Sequence, residues 1–322
     1  MNYFWLDKYL EQWQSAIQTN HKPQAVIISG PSGLGKEVLL NQILADLVCR
    51  EEAGHCGKCQ NCLLFKQGHH PDINRIEPEN ELIKVKMIRE LTQFFTATPH
   101  CSNYKIAVIN DADNMNIAAA NSLLKVLEEP PSRGILFLLT SVEHQLMPTI
   151  RSRCINMQLT LDEAERSQLK PWLAKQHGDI DAVDKALLFN DFQPLSAMTM
   201  LANNHLQELD EMLDLIAQAV VDKASVTNAA KKLTEHSTEQ WELLQRYLML
   251  LGKSYLRQDS NHKYLQHALN QIIKNSPKVF HIIIKIAELV QIIMLNLNTQ
   301  IKSQLLIESM LIEIKKELNP GR

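Results

Sequence analysis

Residues 25–48 constrain this chain's architecture more than any other stretch. A compact β-branched run, AVIIS (25–29), leads into GPSGLGKE (30–37), and the next turns place Val38, Leu39, Ile43, Leu44, Leu47 and Val48 at helical spacing. An apolar strand, a glycine-rich turn and a helix in succession form the frame that points backbone amides at a phosphate. The phosphate-cradling pattern is G-x-x-x-x-G-K-[ST], and Gly30, Gly35 and Lys36 fall in register, with Gly33 inside the loop. Glu37 then stands where a serine or threonine hydroxyl would hold magnesium.

The same alternation continues. KIAVI (105–109) and ILFLLT (135–140) are continuous apolar runs, as expected of strands covered on both faces of a parallel sheet, and DINRI (72–76) is a weaker strand candidate. Between them, IKVKMIRELTQFF (83–95) sets Val85, Ile88, Leu91 and Phe95 on one helical face. NIAAANSLLKVLEE (116–129) is a second helix, stopped by Pro130 and Pro131. After about residue 158 the strand signal disappears. LDEAERSQLKPWLAKQH and AVDKALLFN read as short helices before FQPLSAMTML. From about residue 206 the pattern is helical throughout. Leu206, Leu209, Met212, Leu213, Ile216 and Val220 form one stripe; Trp241, Leu244, Tyr247, Leu248 and Leu251 form another; Ser276-Pro277 marks a further helix start. The fold class expected is α/β plus all-α, in three parts: 1–160, 161–205 and 206–322. A chain of 322 residues, 45% hydrophobic and 21% charged, is long enough for several cores.

Six cysteines without an export signal argue for thiols and metal. Cys49, Cys56, Cys59 and Cys62 have C-x6-C-x2-C-x2-C spacing, which suits a tetrahedral structural zinc with no open coordination position. Cys101 lies outside the cluster, and His69-His70 need no metal role. The N-terminal stretch carries Asp7 and Glu11 and no small-residue cleavage site, so no secretory signal is read and a cytoplasmic location is expected. VFHIIIKIAELVQIIML is interrupted by His281, Lys285 and Glu288 and reads as a core helix, so no membrane partner is expected. Net charge is −3, which speaks against a wholesale nucleic-acid binder. A zinc-dependent nucleic-acid-binding module stays open as an alternative.

The metal partners of the glycine loop are altered. In an intact site the strand KIAVI would end Asp-Glu, the first for the metal and the second for water. Here it continues Asn110-Asp111, one neutral and one a methylene short. Together with Glu37 this predicts that the chain does not turn over ATP in its own site. The competing reading is an active ATPase in which Glu37 ligates magnesium.

NSLLKVLEEPP (121–131), the Thr140-Ser141 strand end and TIRSRC (149–154) closely resemble the clamp-loader branch of the AAA+ proteins. With the four-cysteine insertion, the likeness covers residues 1 to about 160; the helical tail is similar in character only. The resemblance implies a RecA-like parallel-sheet domain with a zinc insertion, a small helical lid and a helical collar. It implies a hetero-pentameric ring with gamma/tau and delta subunits of DNA polymerase III, acting on a sliding clamp and primed DNA. In that family the arginine of Ser-Arg-Cys is a finger that reaches a neighbour's nucleotide; here the motif is Ser152, Arg153 and Cys154. The lid's second sensor arginine falls at Leu195, which cannot contact phosphate. The resemblance thus implies a subunit with a vestigial site of its own and an arginine for its neighbour.

Overall fold

The computed structural model describes residues 3–18, 23–51, 54–221, 224–257, 265, 273, 279–296 and 303–318. The chain forms two compact units, Met1–Ser167 and Gln168–Arg322.

The first unit is built on five parallel strands: β1 (Ala25–Ser29), β2 (Ile73–Ile76), β3 (Lys105–Ile109), β4 (Gly134–Thr140) and β5 (Ile155–Gln158), in the order β2-β3-β4-β1-β5. Ser29 pairs with Thr140 on one side and Gln158 on the other, so three strand ends meet at one point. Every residue of β1, β3 and β4 is buried, which explains their unbroken apolar sequences. The helices are α1 (Asp7–Gln18), α2 (Lys36–Val48), α3 (Gln60–Lys66), α4 (Val85–Thr96), α5 (Ile117–Glu128) and α6 (Pro148–Arg151). Ile27, Ala107 and Leu136 share a core with Ile88 and Leu91 of α4 and Leu123 of α5. On α1, Trp13 meets Phe137 of β4 with ring centroids 5.5 Å apart. Truncating one such buried Leu or Ile to Ala costs about 2–5 kcal/mol. α5 opens on Asn116, whose side chain accepts from the Ala119 amide at 2.8 Å, and closes before Pro130-Pro131.

β5, α1, the short helix α3 and the single turn α6 are absent from the sequence reading. β5 has no apolar run, because only Met157 is buried and its neighbours are exposed. α1 occupies the N-terminal segment, where the sequence pattern speaks only against a secretory signal.

The division between the units falls inside α7 (Glu163–His177). The second unit continues with α8 (Ile180–Phe189), α9 (Pro194–Ala202), α10 (His205–Val220), α11 (Val226–Leu233), α12 (Thr238–Arg257), α13 (Val279–Asn296) and α14 (Ser303–Leu318). No strand occurs in it among the described residues. Leu209, Met212, Leu213, Ile216 and Val220 are buried as the stripe predicted, as are Trp241, Leu244, Tyr247, Leu248 and Leu251; Leu206 is half-buried. Ser276-Pro277 lies outside the described residues. By length and a mean hydropathy of 1.8, α13 could cross a membrane. Its Ile282, Ile283, Ile286, Val290 and Ile293 are buried, and Lys285 pairs with Glu313 of α14 at 3.0 Å. Its opposite face exposes Phe280, Ile284, Ile292 and Leu295.

Candidate functional site

The glycine loop leaves β1 at the carboxyl edge of the sheet, where open α/β folds bind ligands. Gly30 has φ 145°, and a Cβ there would lie 2.8 Å from the Leu159 carbonyl, so only glycine fits this exit. Lys36 turns back onto the loop. Its Nζ donates to the Gly30 carbonyl at 2.6 Å, the Pro31 carbonyl at 3.2 Å and Ser141 Oγ at 3.0 Å. Burial lowers the Lys36 pKa, and the charges of Asp111, Asp113 and Glu37 oppose that shift. Glu37 is exposed in the first turn of α2, where a carboxylate favours the helix dipole.

At the end of β3, Asn110 is buried and donates from Nδ2 to Glu77 Oε1, while its Oδ1 has no partner among the described residues. Asp111 is exposed with φ 44°, in the left-handed region. Beside it, Thr140 Oγ1 donates to Asp113 Oδ1 and accepts from the Val142 amide. The fold therefore brings Gly30, Lys36, Asp111 and Asp113 to one edge. Sequence reasoning missed Ser141 and Asp113 as partners in this network.

Ser152, Arg153 and Cys154 sit elsewhere, between α6 and the start of β5. Arg153 is exposed; Nη1 donates to the Thr149 carbonyl and Nη2 to Glu128 Oε1, each at 3.0 Å. Ser152 Oγ donates to the Thr149 carbonyl at 3.1 Å. Cys154 is packed against the sheet core, and burial pushes its thiol up to about 11, so it is an inert thiol at neutral pH. Leu195 lies half-buried in the first turn of α9.

The four cysteines converge. The sulfurs of Cys49, Cys56, Cys59 and Cys62 all lie within 4.8 Å of one another, and Cys56 Sγ is 3.9 Å from Cys62 Sγ. A tetrahedron with metal–sulfur bonds of about 2.3 Å has edges of roughly 3.8 Å, so the donor set fits zinc. All six cysteines are free thiols. Backbone amides donate to the sulfurs, Cys56 to Cys49 Sγ at 3.4 Å and Cys59 to Cys56 Sγ at 3.3 Å. Amide donation brings the Cys59 thiol down to about 6, favouring the thiolate that a metal needs.

A second cluster was not legible in the sequence. Asp72, fully buried before β2, pairs with Lys105 Nζ at 3.1 Å. It also accepts from the amides of His100, Cys101 and Ser102 at 2.7–2.8 Å. Burial would raise its pKa, but these amides and Lys105 outweigh that and hold it well below the carboxylate range. His70 and Cys101 adjoin it, 3.7 Å apart, giving a possible ligand trio. Asp72 is already saturated, so the trio fits a structural knot better than a metal site. The knot touches the cysteine module: the Cys101 carbonyl accepts from Asn61 Nδ2 at 2.8 Å and from Arg50 Nη2 at 3.0 Å. A lysine opening the apolar run KIAVI was the one signal that a buried anion must be near.

Comparison with known proteins decides the family. The sequence profile described as "DNA polymerase III, delta subunit" matches residues 5–163. DNA polymerase III subunit delta' of Pseudomonas aeruginosa is 33% identical over 69% of this chain and 70% of its own length. The chain belongs to the DNA polymerase III delta' family. The subunit delta' of Escherichia coli is 29% identical over 68% of this chain and 66% of its own, so the match spans about two thirds of these relatives. A DNA polymerase III subunit tau/gamma of Haemophilus influenzae is 33% identical over 48% of this chain and 23% of its own length. Among solved structures, a gamma subunit-related protein of Thermotoga maritima covers 95% of this chain and 99% of its own, at TM-score 0.46 and 18% identity.

Proposed function

We propose that this chain is the non-hydrolysing delta' subunit of a DNA polymerase III clamp loader. It supplies Arg153 in trans to the nucleotide of a neighbouring ATPase subunit during loading of the sliding clamp on primed DNA. One observation carries the reading: Arg153 stands exposed in an intact Ser-Arg-Cys, while the strand that should end in a metal-binding aspartate ends in buried, neutral Asn110. A guanidinium is permanently charged and forked, which suits phosphoryl oxygens as charge develops on them. Asn110 cannot supply the negative charge that holds magnesium, and Glu37 points outward from α2. Gly30, Gly33, Gly35 and Lys36 then serve as architecture for the turn.

The partners are gamma/tau and delta subunits in a hetero-pentameric ring, in the cytoplasm. Residues 161–205 act as the lid and 206–322 as the collar, whose exposed apolar face on α13 supports contact between subunits. Zinc on Cys49, Cys56, Cys59 and Cys62 is structural. The retained Lys36 favours the second reading, an active gamma/tau-like ATPase. Steady-state ATP turnover by the purified chain separates the two. Rates indistinguishable from background support the proposal, and turnover near ~1 s⁻¹ would overturn it.

A further inference from the structure

We propose that Glu128 is a positioning residue for Arg153: it holds the guanidinium on standby and gives it up when the neighbour's triphosphate arrives. This rests on the reading of Arg153 as a finger. The geometry is specific. Glu128 is the last residue of α5, fixed there by Pro130 and Pro131, and Thr149 lies in α6. Leu123 and Val126 of α5 share the sheet core with Ile150 of α6, so both anchors of the guanidinium are set by packed helices. Between them they occupy both terminal nitrogens of Arg153.

Electrostatics explains why the pair forms and why it is breakable. A carboxylate at the C-terminal end of a helix faces the negative end of the dipole, so Glu128 is better off with a cation beside it. Both side chains are partly exposed, 38% and 54%, so water and salt screen the attraction. A triphosphate presents several negative charges and a matching fork, and it outcompetes one screened carboxylate. The finger is therefore held in a defined rotamer, not left to sample solvent, and its release is coupled to the nucleotide next door. Engagement costs only the exchange of one anion for another. The fraction of released finger scales the apparent nucleotide affinity across that interface.

The test uses the assembled complex with its ATPase partners, comparing wild type, Glu128→Gln, Arg153→Ala and the double variant. Glutamine keeps the shape and removes the charge. Glu128→Gln is expected to lower KM for ATP about 2- to 5-fold, the range open to a screened exposed pair, with kcat carrying less than twofold of the change. The gain should fade in 0.5 M salt. In the Arg153→Ala background the same substitution should do nothing. A KM shift that persists without Arg153, a wild-type KM in Glu128→Gln, or a fall in kcat matching Arg153→Ala would each overturn the proposal. If Arg153→Ala alone leaves turnover intact, the finger reading itself fails, and that outcome is distinct from the others.

Discussion

The two edges of the sheet have had different fates. At the carboxyl edge, where β1, β3 and β4 end, the glycine loop and its neighbours make hydrogen bonds among themselves, and the proposed reading is that they no longer split a nucleotide. Lys36 donates to its own loop, Asn110 donates to Glu77, and Glu37 stands in solvent. At the amino edge, buried interactions are committed to the fold: Asp72 with Lys105 at the start of β3, and the Asn61 side chain of the cysteine module with the Cys101 carbonyl. A ligand site at strand ends can lose its chemistry without unfolding the sheet, because its side chains project from a core that others maintain. Buried charges that knit strands together have no such freedom.

Substitutions at the two edges should therefore part company, and the largest effect on stability is expected at the amino edge. Asp72→Asn leaves Lys105 buried without its anion and should cost about 3–5 kcal/mol, lowering the melting temperature by roughly 10 °C. The wild type gains this contribution only above the ordinary aspartate pKa of about 3.9, because the folded pKa is depressed. It should lose the contribution as pH falls below about 4, and Asp72→Asn should show no such acid-dependent loss. Calorimetry between pH 3 and 7 measures both. A variant as stable as wild type at pH 7 would dissolve the contrast between the edges.

Next in size, the wild type should carry about one zinc per chain by elemental analysis and Cys59→Ser below ~0.1, with a lower melting temperature. A first unit that keeps its melting temperature after chelation would leave the cysteines without a structural metal. Gly30→Ala should cost about 1–3 kcal/mol, since a methyl group meets the Leu159 carbonyl at 2.8 Å in a left-handed turn. That loss should appear in denaturant unfolding while turnover by a stable complex persists. A fall in turnover alone would return nucleotide chemistry to the loop.

The sheet's centre was readable because β1, β3 and β4 are buried on both faces, so each carries a continuous apolar run, with Lys105 opening β3 and Ser29 and Thr140 closing β1 and β4. β5 was not, because three of its four residues face solvent and only pairing to β1 makes it a strand. The glycine loop, the four cysteines and Arg153 were legible as local strings. What local strings cannot reveal is partnership across the fold. Asp72 and Lys105 lie 33 residues apart, and Arg153 and Glu128 lie 25 apart. In each case one helix or strand end must dock beside another before the charges meet. The direction Lys36 would take was equally hidden, since Ser141 reaches it only through the β1–β4 register.

The lopsidedness between the edges is tested most directly by DNA-stimulated ATP turnover in the reconstituted complex, with Lys36→Ala set beside Arg153→Ala. On the proposed reading, Arg153→Ala should depress hydrolysis at one interface by about 10³-fold or more, seen as a partial loss because the other sites keep working. Removing the lysine should leave turnover within twofold of wild type. Equal losses in the two variants, or a loss confined to Lys36→Ala, would contradict the account.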